Sequence, residues 1–366
     1  MKQTALRLAF GVATIALAHG AHAEELRPEA EAAKAIALSQ MAENTEWRGP
    51  ETTPAPQAGK RIAVISCCQA AEGAARPARA MEEVGGLLDW QVDVFDGAGD
   101  PSQQNQALNA AVDAGYDGIA LIFVDTPVVS DGVSRALEAG IPLITLGSLD
   151  NTPASIPDVS HDWVEQARGI GAYMAWKANG EVDALMLKNT DLYITENGQF
   201  KGAMEILNDP QYCPDCTMTV RDWSLANLDT QPAQIATASL RANPNTNWVW
   251  CFDACMSRVV RTLAASGQGQ NLQGAGYDCH GENIQLIRDG LIQSVCAADP
   301  RDWEAYALMD NLNRMMQGEE AIDHNIPIRI FATENVDELS EFEVENGWQG
   351  DYDFRAKYKE LWSVDG

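Results

Sequence analysis

From Lys60 onward the chain alternates short apolar runs with helical stretches at a steady spacing, and this alternation limits the fold more than any other feature. The runs "RIAVI", "WQVDVF", "DGIALIF" and "IPLITL" are separated by helical patterns near 73–88, 101–114 and 127–139. After a non-periodic stretch, "GSLDNTPASIPDVSHDW", the alternation resumes with "DALMLK", "TMTVRDW", "NWVWCF", "LQGAGY" and "LIQSVC". Parallel strands cannot be joined by tight turns, so strands alternating with helices predict βαβ units and a parallel sheet. A chain of 366 residues is long enough for two such units to form separate cores.

The pattern therefore predicts an α/β protein with two Rossmann-like parallel-sheet domains. Ahead of them, residues 24–46 read as one Ala/Glu-rich helix, and "RGPETTPAPQAGK" as a Pro/Gly/Thr linker completing a segment 24–59. The first 23 residues carry Lys2 and Arg7, an apolar run from Leu8 to Ala18, and Ala21-His22-Ala23. That is the layout of a secretory signal peptide, too short to span a membrane. The net charge of −28 falls to −30 without Lys2 and Arg7. Nucleic acid is excluded as a partner, because phosphate binding needs basic patches. All eight cysteines follow the leader, where an oxidising compartment favours disulfides.

The segment "YDGIALIFVDTPVVSDGVSRALEAGIPLITLGS" resembles the first-domain signature of type I periplasmic binding proteins, the ribose-binding-protein-like group that serves sugar ABC transporters. The likeness continues through "QFKGAMEIL", "RDWSLANLDTQPAQ", "RANPNTNWVW", "GYD" with "IRDGLIQSV", and "NIPIRIFATEN", over about residues 60–335. The resemblance implies two lobes joined by a three-segment hinge, with crossovers near Gly147–Asn151, Ala298–Asp299 and Ile326–Ile328. On that reading the first lobe is 60–147 plus 299–327 and the second is 148–298 plus 328–366. It further implies a periplasmic monomer that captures a monosaccharide-like ligand, without a cofactor, and delivers it to the permease of an ABC importer. A sensory role before a membrane receptor, or a non-sugar solute such as a polyol, lactone or small aromatic, are the alternatives.

Ligands of open parallel sheets sit beyond the carboxyl ends of the strands. Asp125 directly follows "GIALIFV" and resembles the family's first-domain sugar-binding aspartate, although Asp also suits the N-cap of the next helix. Asp278 in "GYD" holds the matching place in the second domain. Asp253 in "WCFDAC" is suited to capping or to ligand contact. Trp223 resembles the stacking aromatic of the second domain, or else packs in the core. Gln199 stands where the family often has Arg, and Gln69 and Ser148 complete the candidates near strand ends. The family's first loop carries aromatics, whereas here it is "CCQAAEGAARP", which predicts a cleft lacking its first-domain aromatic.

Cys67 and Cys68 end the first strand, and three readings stay open for them. These are a vicinal disulfide forming a flat ligand platform, pairing with separate partners, and a soft-metal site with Cys279 or His280. "CPDC" predicts a local disulfide between Cys213 and Cys216, and further disulfides are expected among Cys251, Cys255, Cys279 and Cys296. The patterns G-x-S-x-G, H-E-x-x-H and G-x-x-x-x-G-K-[ST] do not occur, so a hydrolase, zincin or P-loop reading has no support.

Overall fold

The computed structural model describes residues 25–149 and 151–364; the leader assigned to residues 1–23 lies outside them. The first lobe is built on a parallel sheet of order β2-β1-β3-β4, with β1 Arg61–Ser66, β2 Gln91–Asp96, β3 Gly118–Ile122 and β4 Leu143–Leu146. Strand β3 is buried throughout, as a continuous "GIALI" run in a helix-covered sheet should be. Helix α2 (Glu72–Leu88) ends on Asp89 in the left-handed conformation, and α3 (Pro101–Asp113) starts with Pro behind Asp100, whose side chain accepts from Ser102 N–H. Helix α4 (Ser130–Glu138) is preceded by a 3₁₀ turn at Thr126–Val129.

The chain then crosses to a six-stranded sheet of order β10-β9-β8-β7-β5-β6. Its strands are β5 Asp183–Asn189, β6 Thr217–Trp223, β7 Trp248–Trp250, β8 Gln273–Asp278, β9 Gln293–Ala298 and β10 Arg329–Ala332. All pairings in it are parallel except β9 with β10, which closes the edge antiparallel. Helix α5 (Trp163–Lys177) precedes β5, and between the strands run α6 (Lys201–Leu207), α7 (Gln231–Ala242), α8 (Asp253–Ala265) and α9 (Gly281–Arg288). After β9, helix α10 (Arg301–Met316) returns to pack on α2, β3 and β4, and the chain crosses back once more to form β10. Three crossings thus join the lobes, as a type I binding-protein fold requires.

The ends of the chain brace the lobes. Helix α1 (Pro28–Met41), shorter than the expected 24–46, packs on α5, with Gln40 Nε2 donating to Glu165 O at 2.6 Å. Gly169 is what lets it approach: a Cβ there would stand 2.0 Å from Gln40 Oε1. The linker after α1 lies along α10, where Trp47 stacks on Trp303 at 5.6 Å and Asn313 Nδ2 donates to Pro54 O at 2.6 Å. Between β10 and the end of the chain come α11 (Glu341–Asn346) and α12 (Phe354–Trp362). The tail was expected to belong wholly to the second lobe, but α12 comes back to α10: Phe354 stacks on Trp303 at 5.0 Å, and Trp362 on Tyr306 at 5.4 Å.

Candidate functional site

The carboxyl ends of β1 and β3 face those of the second sheet across a cleft. The first-lobe wall is formed by Cys67, Cys68, Ala71, Gly73, Ala74 and Phe123. The opposite wall carries Leu192, Ile194, Leu225 and Phe252, with Thr195, Gln199 and Asp278 as its polar groups. The walls approach closely. The space between them is about 30 Å³, on the measure by which one water needs roughly 10–15 Å³. Gly73 allows a close approach, since an added Cβ would lie 2.9 Å from Asp278 Oδ2.

Two residues with left-handed backbone line this cleft. Phe123 (φ 51°) and Asp278 (φ 84°) both occupy the left-handed region that non-glycine residues seldom enter. Phe123 is accommodated because Gly147 has no Cβ; one would stand 2.3 Å from the ring. The Phe123 ring lies over the guanidinium of Arg301, 4.9 Å from its central carbon.

Arg301 organises the base of the cleft. It is fully enclosed and donates to Asp278 Oδ1 at 2.5 Å, Asp299 Oδ2 at 2.6 Å and Glu304 Oε2 at 2.8 Å. Asp278 belongs to β8 and Arg301 to α10, so the first pair ties the two lobes together. His161, on the first crossing, contacts Asp299 at 3.3 Å and Glu304 at 3.2 Å. Burial works against ionisation of Asp278, but Arg301 and His280 overcome it and hold the carboxyl below the usual carboxylate range. Burial has the upper hand at Asp299, which is pushed up to about 6 although Arg301 pulls the other way. Burial pulls His161 down, but Asp299 and Glu304 outweigh it and leave the imidazole above its ordinary value.

The sequence candidates divide into three groups. Asp278, Gln199, Cys67 and Cys68 line the cleft. Gln199 is buried with its Oε1 unpartnered, and Thr195, which sequence reasoning did not single out, is buried with an unpartnered Oγ1. Asp125 stands at the rim and accepts from Tyr193 N–H of the second lobe at 3.0 Å, a bond across the cleft mouth. The others lie outside the lining. Trp223 is in the core, donating to Leu187 O at 3.1 Å with its ring 5.2 Å from Phe252, so Phe252 is the aromatic that reaches the cleft. Asp253 is fully buried, accepting from Gln293 Nε2 at 2.8 Å and His280 N–H at 3.2 Å; burial, then the nearby Asp278, pushes its carboxyl well up. Ser148 donates its N–H to Asp158 at 2.9 Å near the first crossing, and Gln69 donates its N–H to Asp96 at 3.0 Å.

Several expectations are corrected by these placements. The first-lobe wall does have an aromatic, Phe123, supplied from the end of β3 and not from the loop after β1. Cys67 and Cys68 are free thiols, so neither the vicinal disulfide nor pairing with separate partners holds. Consecutive Cα atoms sit about 3.8 Å apart, below the usual disulfide span of roughly 4.4–6.8 Å. Burial, then hydrogen bonding to Cys68, pushes the Cys67 thiol well up. The soft-metal reading loses Cys279, which is bonded to Cys296, and no metal-holding group of three or more His, Cys, Asp or Glu occurs among the described residues. Cys213 and Cys216 are bonded as "CPDC" predicts. Cys251 and Cys255 are free and buried, where disulfides had been expected among all four second-lobe cysteines.

A simple positional signal would have found both cleft aromatics: Phe123 lies two residues before Asp125 and Phe252 immediately before Asp253, each just past a strand. Arg301 gave no comparable signal beyond the dense charge of "DPRDWE" after the second crossing.

Comparison with solved structures gives the same architecture. A sugar ABC transporter protein from Yersinia enterocolitica matches with a TM-score of 0.72 at 17% identity, covering 86% of this chain and 99% of that one. A solute-binding protein from Agrobacterium vitis with bound allitol matches at 0.69 and 17% identity, covering 76% and 97%. The Caulobacter myo-inositol binding protein matches at 0.69 and 15% identity, covering 78% and 97%. No curated protein matches in sequence. The family described as periplasmic binding protein domain matches residues 62–320. That span takes in both sheets up to β9 and the first two crossings between them, and the chain belongs to the periplasmic binding protein family, whose members bind solutes for ABC transporters.

Proposed function

We propose that this protein is the periplasmic solute-binding component of an ABC importer, capturing one small, neutral, hydroxyl-bearing molecule between its lobes. The observation that carries the reading is the cleft itself: Gln199 and Thr195 hold unpartnered buried polar atoms there, beside a carboxylate already neutralised by Arg301. A buried polar atom without a partner costs about 1–3 kcal/mol, which a ligand hydroxyl would recover. The structures that bind allitol and myo-inositol support a neutral hydroxyl-bearing solute. Each wall offers only part of the contacts, so binding favours closure of the hinge. The role is binding without chemistry: Asp278 is engaged by Arg301 and Asp125 by the Tyr193 amide, which leaves no free carboxylate pair facing a common point.

Isothermal titration of the mature protein against neutral sugars, polyols and simple alcohols tests this. One class should bind at a single site and raise the melting temperature by several degrees at saturating concentration. Absence of binding to any neutral hydroxylated compound would overturn the reading.

A further inference from the structure

Resting on that solute-binding reading, we infer that the ligand is a small neutral alcohol with a hydrocarbon face and two or three hydroxyls on one edge, and not a fully hydroxylated sugar or cyclitol. A polyhydroxylated ring presents hydroxyls around its whole circumference, and each one buried without a partner weakens binding. Hydrogen-bonding groups on both walls would therefore be needed.

This cleft offers them on one wall only. The first-lobe surface consists of Ala71, Gly73 and Ala74, the Phe123 ring and two thiols, which are weak hydrogen-bond partners. Its nearest strong polar groups are committed elsewhere. Asp125 holds the Tyr193 amide, and Asp96 accepts from both Gln69 N–H and Ala98 N–H. The unpartnered atoms Ser66 Oγ and Gln69 Nε2 are buried outside the lining. On the second lobe, Thr195, Gln199 and Asp278 can serve two or three ligand hydroxyls, while Leu192, Ile194, Leu225 and Phe252 surround them with hydrocarbon.

Charge narrows the class further. Around Arg301 lie Asp278, Asp299 and Glu304, with His161 behind them, so acids outnumber bases and an anionic ligand is disfavoured.

The test is a matched set on one carbon ring: trans-1,2-cyclohexanediol, myo-inositol and cyclohexanecarboxylate, titrated calorimetrically into the mature protein alongside allitol and allose. The diol should bind at least tenfold tighter than myo-inositol, and the carboxylate should not bind. Thr195→Val, which removes a hydroxyl at nearly constant shape, and Gln199→Leu should each weaken the diol roughly threefold to tenfold, the effect of one hydrogen bond. Equal or tighter binding of myo-inositol, allitol or allose would overturn the inference and leave the solute-binding reading intact. If none of these compounds binds, the inference falls, and the solute-binding reading stands or falls on the wider panel of neutral sugars, polyols and alcohols.

Discussion

Asp125 and Asp278 follow cleft-facing strands in the two lobes, yet they live in opposite circumstances. Asp125 sits at the rim and accepts from a backbone amide of the other lobe, while Asp278 is enclosed, left-handed and held by a cation from the other lobe. The rims around them differ in the same sense. The first is small, apolar and free of cross-links, with Cys67 and Cys68 as thiols. The second is stapled by Cys279–Cys296 beside Asp278 and leaves Thr195 and Gln199 open to the cleft. The lesson is that two lobes of the same construction have divided the work: one supplies hydrocarbon contact, the other supplies hydrogen bonds on a fixed frame.

The strongest way to break this comparison is to remove the shared cation. Arg301→Met leaves Asp278, Asp299 and Glu304 buried without their shared permanent cation, and denaturant unfolding should show a loss of about 3–5 kcal/mol. A loss below about 1 kcal/mol would mean that the second rim does not depend on Arg301. Next, the staple can be cut. Replacing Cys279 and Cys296 by Ser opens a loop of 17-residue separation and should cost roughly 3 kcal/mol, against roughly 2 for Cys213 and Cys216, separated by 3. Urea midpoints of the two double variants give the ranking; the reverse order would contradict the framing role of the second rim.

A third variant acts on the contact between rims. Gly73→Ala puts a methyl group against Asp278, so the cleft cannot close fully, and calorimetry should show ligand affinity falling by on the order of tenfold. Its melting temperature should hold or rise, because alanine favours the helix by about 1 kcal/mol over glycine.

The smallest effect expected is that of pH. Asp299 has a folded-state value of about 6, above the ordinary carboxyl value, and Asp158 likewise through burial. Both hold protons more tightly when folded, so the stability they contribute is full below about pH 4 and is lost as pH rises through about 6. His161, also raised, acts in the same direction at somewhat higher pH. Asp278 and Glu304 are lowered, so their contribution is lost only in stronger acid. Burial lowers His324 to about 4 and also lowers His280, and these two lose stability as pH falls through the same interval, so the readout is the variant: the melting temperature of the wild type minus that of Asp299→Asn should be a few degrees larger at pH 5 than at pH 7.5. A difference between the two proteins that does not grow toward pH 5 would contradict the assignment.

Most of the fold was legible because parallel strands in a helix-covered sheet must be continuous apolar runs, and each such run became a strand within a residue or two. The return of α12 to α10 was not legible. It depends on matching Phe354, Tyr358 and Trp362 to Trp303 and Tyr306, fifty residues away, and short-range periodicity carries no such information. Within the site, residues read from strand ends, Cys67, Cys68 and Asp278, fall in the cleft. Trp223 and Asp253 also end or follow strands but point into the core, and the side a strand end faces is set by its sheet partners. Arg301 was missed because its role comes from three acids that only the folded chain brings together.

The most direct test of the divided cleft is hydrogen–deuterium exchange of the mature protein with and without saturating trans-1,2-cyclohexanediol, followed over residues 67–74 and 190–200. The account predicts that both segments, including the Tyr193 amide that bonds Asp125 across the cleft mouth, gain protection together. Protection of neither segment, or of one wall without the other, would contradict a ligand held between two complementary lobes.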